Sequence, residues 1–123
     1  MILVDTSVWI DHLRKGDNGL QRLLEKSQVL CHPFVVGELA MGSLRRRRTI
    51  LDALQNLPVA EKAHDDEVLL FVSDHALFGL GLGYIDAHLL ASVKLTPSTL
   101  LWTRDKRLAE VAARLSLAAE GPL

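Results

Sequence analysis

Three carboxylates in this chain stand where a carboxylate is least comfortable. Asp5 ends the apolar run Met1-Ile2-Leu3-Val4 and is the only charged side chain in the first ten residues. Glu38 is the only charge between Pro33 and Leu44, and Asp86 is the only formal charge between Asp74 and Lys94. An ionised carboxylate against apolar surroundings is costly unless it is paired or bound to a metal. No Lys or Arg adjoins any of the three in sequence. Acids held this way are satisfied when they face one another across a cation. Converging carboxylates raise one another's pKa, and a hard divalent ion with oxygen ligands relieves the repulsion. Mg²⁺ fits such a site, with Mn²⁺ as a substitute, because neither needs His or Cys and both retain water.

The elements that must position these acids follow from the apolar pattern. Residues 2–4 read as a short buried strand, continuously apolar as in parallel sheets. Ser7 is expected to N-cap a helix whose apolar face is Val8, Trp9, Ile10 and Leu13. A turn at 16–19 precedes a short helix marked by Leu20, Leu23 and Leu24, and 29–31 is a second strand. Pro33 opens a helix expected to reach residue 44, and Arg45 to Arg48 separate it from a helix over 49–56. Helices over 64–78, 84–93 and 106–115, with a strand over 100–102, complete the pattern. Strands alternating with helices predict an α/β domain with a short parallel sheet. Sites in such folds form beyond the C-terminal strand ends. Asp5 falls at the end of the first strand and Asp105 just past the last. Glu38 shares a helix face with Phe34, Val35, Met41 and Gly42, and Asp86 shares one with Leu89, Leu90 and Val93, so both are expected to face inward.

Each acid also has an ordinary structural reading. Asp5 can close a strand-end turn onto Ser7, and Glu38 can pair with one of the arginines at 45–48. Asp86 can be a first-turn acid favoured by the helix dipole. Asp105, in Thr103-Arg104-Asp105-Lys106, is equally well read as a helix cap. Elsewhere, Gly79-Leu80-Gly81-Leu82-Gly83 lacks the Lys-Ser/Thr of a phosphate loop and reads as a hinge or tight helix entry. The five His show no metal-ligand spacing, and Cys31 reads as a small core residue. Arg45 to Arg48, with Arg104, Lys106 and Arg107, are candidates to grip a phosphate backbone, although a charge run is as readily a solvated helix end.

The chain's 123 residues suit one domain over 1–123. An apolar fraction of 49% suggests surface left for a partner such as a second subunit. The net charge of −1 neither indicates nor excludes nucleic acid, so binding a polyanion needs a local basic patch. A single cysteine rules out an intrachain disulfide and fits a reducing, cytoplasmic setting. No signal peptide is expected, because Asp5 interrupts the early apolar run. The uncharged stretches carry His and Gly and do not read as a membrane span.

With these residues located, the chain resembles PIN-domain proteins, specifically the small VapC-type toxins of toxin–antitoxin pairs. The resemblance rests on Ile2-Leu3-Val4-Asp5-Thr6-Ser7-Val8-Trp9-Ile10, Val36-Gly37-Glu38-Leu39, Ile85-Asp86-Ala87-His88-Leu89-Leu90-Ala91 and Leu101-Trp102-Thr103-Arg104-Asp105-Lys106-Arg107-Leu108. Each segment alone is weak; all of them, in order and over essentially the whole length, are specific. The resemblance implies an α/β/α sandwich and a Mg²⁺-dependent ribonuclease whose acids are Asp5, Glu38, Asp86 and Asp105, with Thr103 as an orienting hydroxyl. It also implies an RNA substrate, a cognate antitoxin and a homodimer. Only this resemblance raises Asp105 above its capping role. The rival readings are a non-catalytic PIN-like binding module and an aspartyl-phosphate phosphatase. The phosphatase needs a second acid two residues after the first, where this chain has Ser7.

Overall fold

The computed structural model describes residues 1–120, so the last three residues of the expected 1–123 domain lie outside it. Three short strands, β1 (Ile2–Val4), β2 (Val29–Leu30) and β3 (Leu100–Trp102), form a parallel sheet in the order β2-β1-β3. The chain leaves β1 for one edge and returns past it to the other, so the strand order switches at β1. Helices α1 (Thr6–Lys15) and α2 (Asn18–Glu25) make the first crossover. Helices α3 (Pro33–Ala40), α4 (Arg47–Gln55), α5 (Asp65–Asp74) and α6 (Tyr84–Leu95) make the second, and α7 (Lys106–Arg114) closes the described chain. This is the expected α/β architecture, a short parallel sheet flanked by helices.

Helix α6 forms the centre of the core. Every residue from Ala87 to Val93 is buried, as a helix without a polar stripe must be. Leu89 and Leu90 pack with Leu3 and Val4 of β1, Leu101 of β3 and Leu108 of α7. Each such side chain stabilises the fold by about 1.5–3 kcal/mol relative to exposure. His32, also fully buried, ties β2 to this helix. Its Nδ1 accepts the Phe34 amide at 3.0 Å, so Nε2 carries the proton and donates to Ser92 Oγ at 3.0 Å. Burial first, then the neighbouring His88 and Lys62 charges, hold the His32 pKa down to about 4.

Several expected boundaries shift. The first helix begins at Thr6 with Asp5 as the residue before it, so Ser7 is not its N-cap. The Ser7 hydroxyl is instead drawn to Asp5 and to the β3 side of the sheet. Helix α3 stops at Ala40 rather than residue 44, and Arg46 takes a left-handed φ of 53° before α4 starts at Arg47. Two of the four arginines therefore open a helix instead of separating two. Helix α5 ends at Asp74, short of residue 78, and leaves Phe78 exposed in the turn beyond. Cys31 does not extend β2; it makes an isolated parallel bridge to Val59.

Candidate active site

The carboxyl ends of β1 and β3 are joined by the Asp5 amide, which donates to the Trp102 carbonyl at 2.9 Å. Asp5 thus leaves the sheet at the switch point, and its side chain is only 7% exposed. Two hydroxyls hold that carboxylate. Thr103 Oγ1 donates to Asp5 Oδ2 at 2.7 Å, and Ser7 Oγ donates to the same oxygen at 2.8 Å. Thr103 Oγ1 accepts the Asp105 amide in turn, and Ser7 Oγ accepts the Arg104 amide, both at 3.0 Å. The turn after β3 is therefore built around Asp5.

Asp86 reaches the same edge from the N-terminal turn of α6. The Gly83 amide donates to its Oδ2 at 3.0 Å, which fixes the carboxylate against the helix entry. Its pKa is nevertheless raised, first by burial and then by the negative charges of Asp5, Asp105 and Glu38, with the Gly83 hydrogen bond working the other way. The influence of all three on Asp86 brings the four acids into one electrostatic neighbourhood. Asp105 also caps α7 by accepting the Leu108 amide through Oδ1 at 3.1 Å. The capping and clustering readings of Asp105 therefore coexist in one side chain.

Glu38 departs from expectation. It lies exposed at the rim instead of facing inward, and Met41, expected on the same inner face, is 88% exposed. The face that α3 buries is Val35 and Leu39, which leaves Glu38 on its exposed flank, and the early end of the helix leaves Met41 past it. Thr6 Oγ1 donates to Glu38 Oε1 at 2.7 Å and holds the rim acid toward β1. That contact had no counterpart in the sequence pattern; its only trace is a hydroxyl residue directly after Asp5. Glu38 forms no ion pair with the arginines at 45–48, and Arg47 caps the end of α3 by donating to the Ala40 carbonyl.

Charge balance sets this edge apart. Among the described residues none of the four acids is ion-paired with Lys or Arg. Arg104, which adjoins Asp105 in sequence, turns away and pairs with Asp11 of α1 and Asp17 before α2. Each of the four acids accepts through one oxygen: Asp5 Oδ2, Glu38 Oε1, Asp86 Oδ2 and Asp105 Oδ1. The other oxygen of each faces no protein donor among the described residues. No three acidic, imidazole or thiol groups among those residues stand close enough to form a ready-made metal cage. The donor set suits a hard cation that takes one or two carboxylates directly and keeps water for the rest. A groove of about 560 Å³ runs from Glu38 between α1, α3 and α4, apolar at Ile10, Leu13, Leu39 and Ile50, with Arg14 and Arg45 in its lining.

The PIN domain family model matches residues 2–114 of this chain. Two proteins named Ribonuclease VapC32, from Mycobacterium tuberculosis strains CDC 1551 / Oshkosh and ATCC 25618 / H37Rv, are each 50% identical to it over 118 residues. Those alignments cover 96% of this chain and 95% of each relative. The chain is a PIN-domain protein of the VapC type. In this PIN domain the four acids occupy the C-terminal edge of the sheet, with no described basic side chain paired to them. No helix among the described residues is long and apolar enough to cross a membrane.

Proposed function

We propose that this PIN-domain protein is the ribonuclease toxin of a toxin–antitoxin pair, hydrolysing RNA phosphodiester bonds with Mg²⁺, for which Mn²⁺ can substitute. The observation that carries the reading is that three other carboxylates, Asp5, Glu38 and Asp105, act on Asp86 and none of the four is paired with Lys or Arg among the described residues. The two VapC relatives, both named ribonucleases, support the choice of substrate. Asp5 and Asp86 are the primary cation ligands, and Glu38 and Asp105 complete the set directly or through water. A bound divalent ion would supply a lowered pKa for water and offset the charge that grows on the attacked phosphate.

The chain's own residues do the positioning. The Ser7 and Thr103 hydroxyls saturate Asp5 Oδ2 and present Oδ1 to the cluster. The Gly83 amide does the same for Asp86 by engaging Oδ2. Glu38, exposed and tethered through Oε1, offers Oε2 to take the proton of the attacking water. A cognate antitoxin segment bound in the groove beside Glu38 would cover that acid and block the strand's access. A homodimer is supported by Leu69 and Leu70 of α5 and Phe78 in the turn beyond it, apolar side chains that are 61%, 62% and 68% exposed.

The test is to incubate purified protein with structured RNA in Mg²⁺ or EDTA and map the RNA ends against those from Asp5→Asn. Cleavage that depends on the cation and vanishes in Asp5→Asn is expected. Cleavage unchanged by EDTA or by the substitution would overturn the site. Absence of cleavage, with no effect of Mg²⁺ on melting temperature, would favour a binding module.

A further inference from the structure

A phosphate entering beside four unpaired carboxylates is repelled unless a fixed positive charge stands next to it. The basic residues next to Asp105 in sequence are Arg104, Lys106 and Arg107. Arg104 is already neutralised by Asp11 and Asp17. Arg107 differs: among the described residues it makes no ion pair and no hydrogen bond, even with Glu110 one turn further along α7. All five of its N–H donors are therefore available.

Its guanidinium nevertheless has a shaped seat. Leu80 and Leu82 pack against the core and pin the loop between α5 and α6, with Gly81 exposed between them. A Cβ on Gly81 would stand 2.0 Å from Arg107 Nη1 and 3.0 Å from Cζ, so the guanidinium lies where any side chain would be. Gly81 also has a φ of +82°, which only glycine adopts freely. The same loop ends at Gly83, whose amide orients Asp86, and Arg107 follows Asp105 by two residues on α7. The loop that orients Asp86 thus also seats Arg107, and the helix that Asp105 caps carries it, with no ion pair between Arg107 and either acid. A depression of about 300 Å³, lined by Leu80, Arg107, Glu110 and Arg114, opens at this point.

We propose that Arg107, seated on Gly81, is a positioning residue that binds a backbone phosphate of single-stranded RNA flanking the bond to be cleaved. This inference rests on the ribonuclease reading above. It separates Arg107 from the other basic candidates: Arg104 holds α1 and α2, Arg47 caps α3, and Arg107 faces substrate.

The test uses an RNA oligonucleotide that the wild type cleaves, with Lys26→Gln as a charge-matched control on exposed surface. Arg107→Gln should raise KM about tenfold with little change in kcat, as loss of a charged hydrogen bond to substrate does. In the Asp5→Asn background, binding of the same RNA across a salt series should lose about 0.7 from its log–log slope, the share of one phosphate contact on a single strand. Arg107→Lys should restore the slope, because the charge returns. Gly81→Ala should displace the guanidinium and shift KM in the same direction, and a melting curve separates this from unfolding. An unchanged KM and salt slope in Arg107→Gln would overturn the inference while leaving the ribonuclease reading intact. Wild-type protein that binds RNA with the expected Arg107 slope but cleaves none would overturn the ribonuclease reading instead. Absence of RNA binding overturns both.

Discussion

Two acidic groups lie close together in this PIN domain and meet opposite fates. Asp11 and Asp17 converge on Arg104, whose guanidinium also packs on Trp102 at 5.7 Å from the ring centroid. Asp5, Glu38 and Asp105 instead bring their negative charge to bear on Asp86, and no described cation pairs with any of the four. The electrostatics follow. The Asp17 pKa is lowered, first by the Leu20 amide and then, against burial, by Arg104, whereas the Asp86 pKa is raised by burial and three like charges. Arg104 marks the division: it adjoins Asp105 in sequence yet serves the other group. A closed ion-pair clamp reads as architecture, and an uncompensated cluster reads as a place for an incoming cation.

The largest test of this contrast is Asp86→Asn. RNA cleavage should fall on the order of 10³-fold, matching several kcal/mol of transition-state charge stabilisation. Metal-free stability should hold or rise, because a repelled, half-buried charge is removed. A cleavage assay with a urea melt in EDTA checks both, and a large loss of metal-free stability would erase the distinction.

Next in size is the effect of the cation. At about one hundred times its Kd, Mg²⁺ should stabilise the wild type by about 2.7 kcal/mol and leave Asp86→Asn nearly unmoved. Thermal melts with and without Mg²⁺ read this directly. An equal shift in both proteins would place the binding elsewhere.

Arg104→Ala should show the reverse pattern. These pairs are about one-third exposed on the Arg104 side, so the loss in stability should be about 1 kcal/mol, with kcat close to that of the wild type. Cleavage falling as far as in Asp86→Asn would show that the two groups are not separate.

The smallest and most diagnostic test is pH. Asp17 has a folded pKa below its unfolded value, so its contribution is complete above about pH 3.8 and is lost as pH falls through the lowered folded value. Asp86 has a folded pKa above its unfolded value, so its contribution is present below about pH 3.8 and is lost as pH rises through the raised value. In EDTA, Asp17→Asn should flatten the acid side of the stability profile and Asp86→Asn the side above it. Matching profiles for the two variants would contradict the opposite shifts.

Much of this contrast was legible along the chain, but not all of it. Asp5 and Asp86 stood out because each is a lone charge inside apolar sequence, and local periodicity located the helix and strands that carry them. Glu38 was identified but misplaced, since the helix buries Val35 and Leu39 and turns Glu38 to the rim. Ser7 looked like a cap because Ser before an apolar run usually is one, but two partners from beyond β3 claim its hydroxyl environment.

The sequence by itself determined the α/β class, the parallel character of three short apolar strands, and that Asp5, Glu38 and Asp86 lack a neighbouring base, whereas Asp105 is flanked by Arg104 and Lys106. Those properties are local, set by apolar periodicity and by charge against its immediate background. Only the tertiary structure decided which acids remain unpaired, because Arg104 finds Asp11 and Asp17 at 93 and 87 residues' separation and passes over Asp105 beside it. It likewise decided that Gly81 is a seat for Arg107. Such pairings depend on how the crossovers bring distant turns to one sheet edge, and that geometry leaves no signature in the spacing of residues.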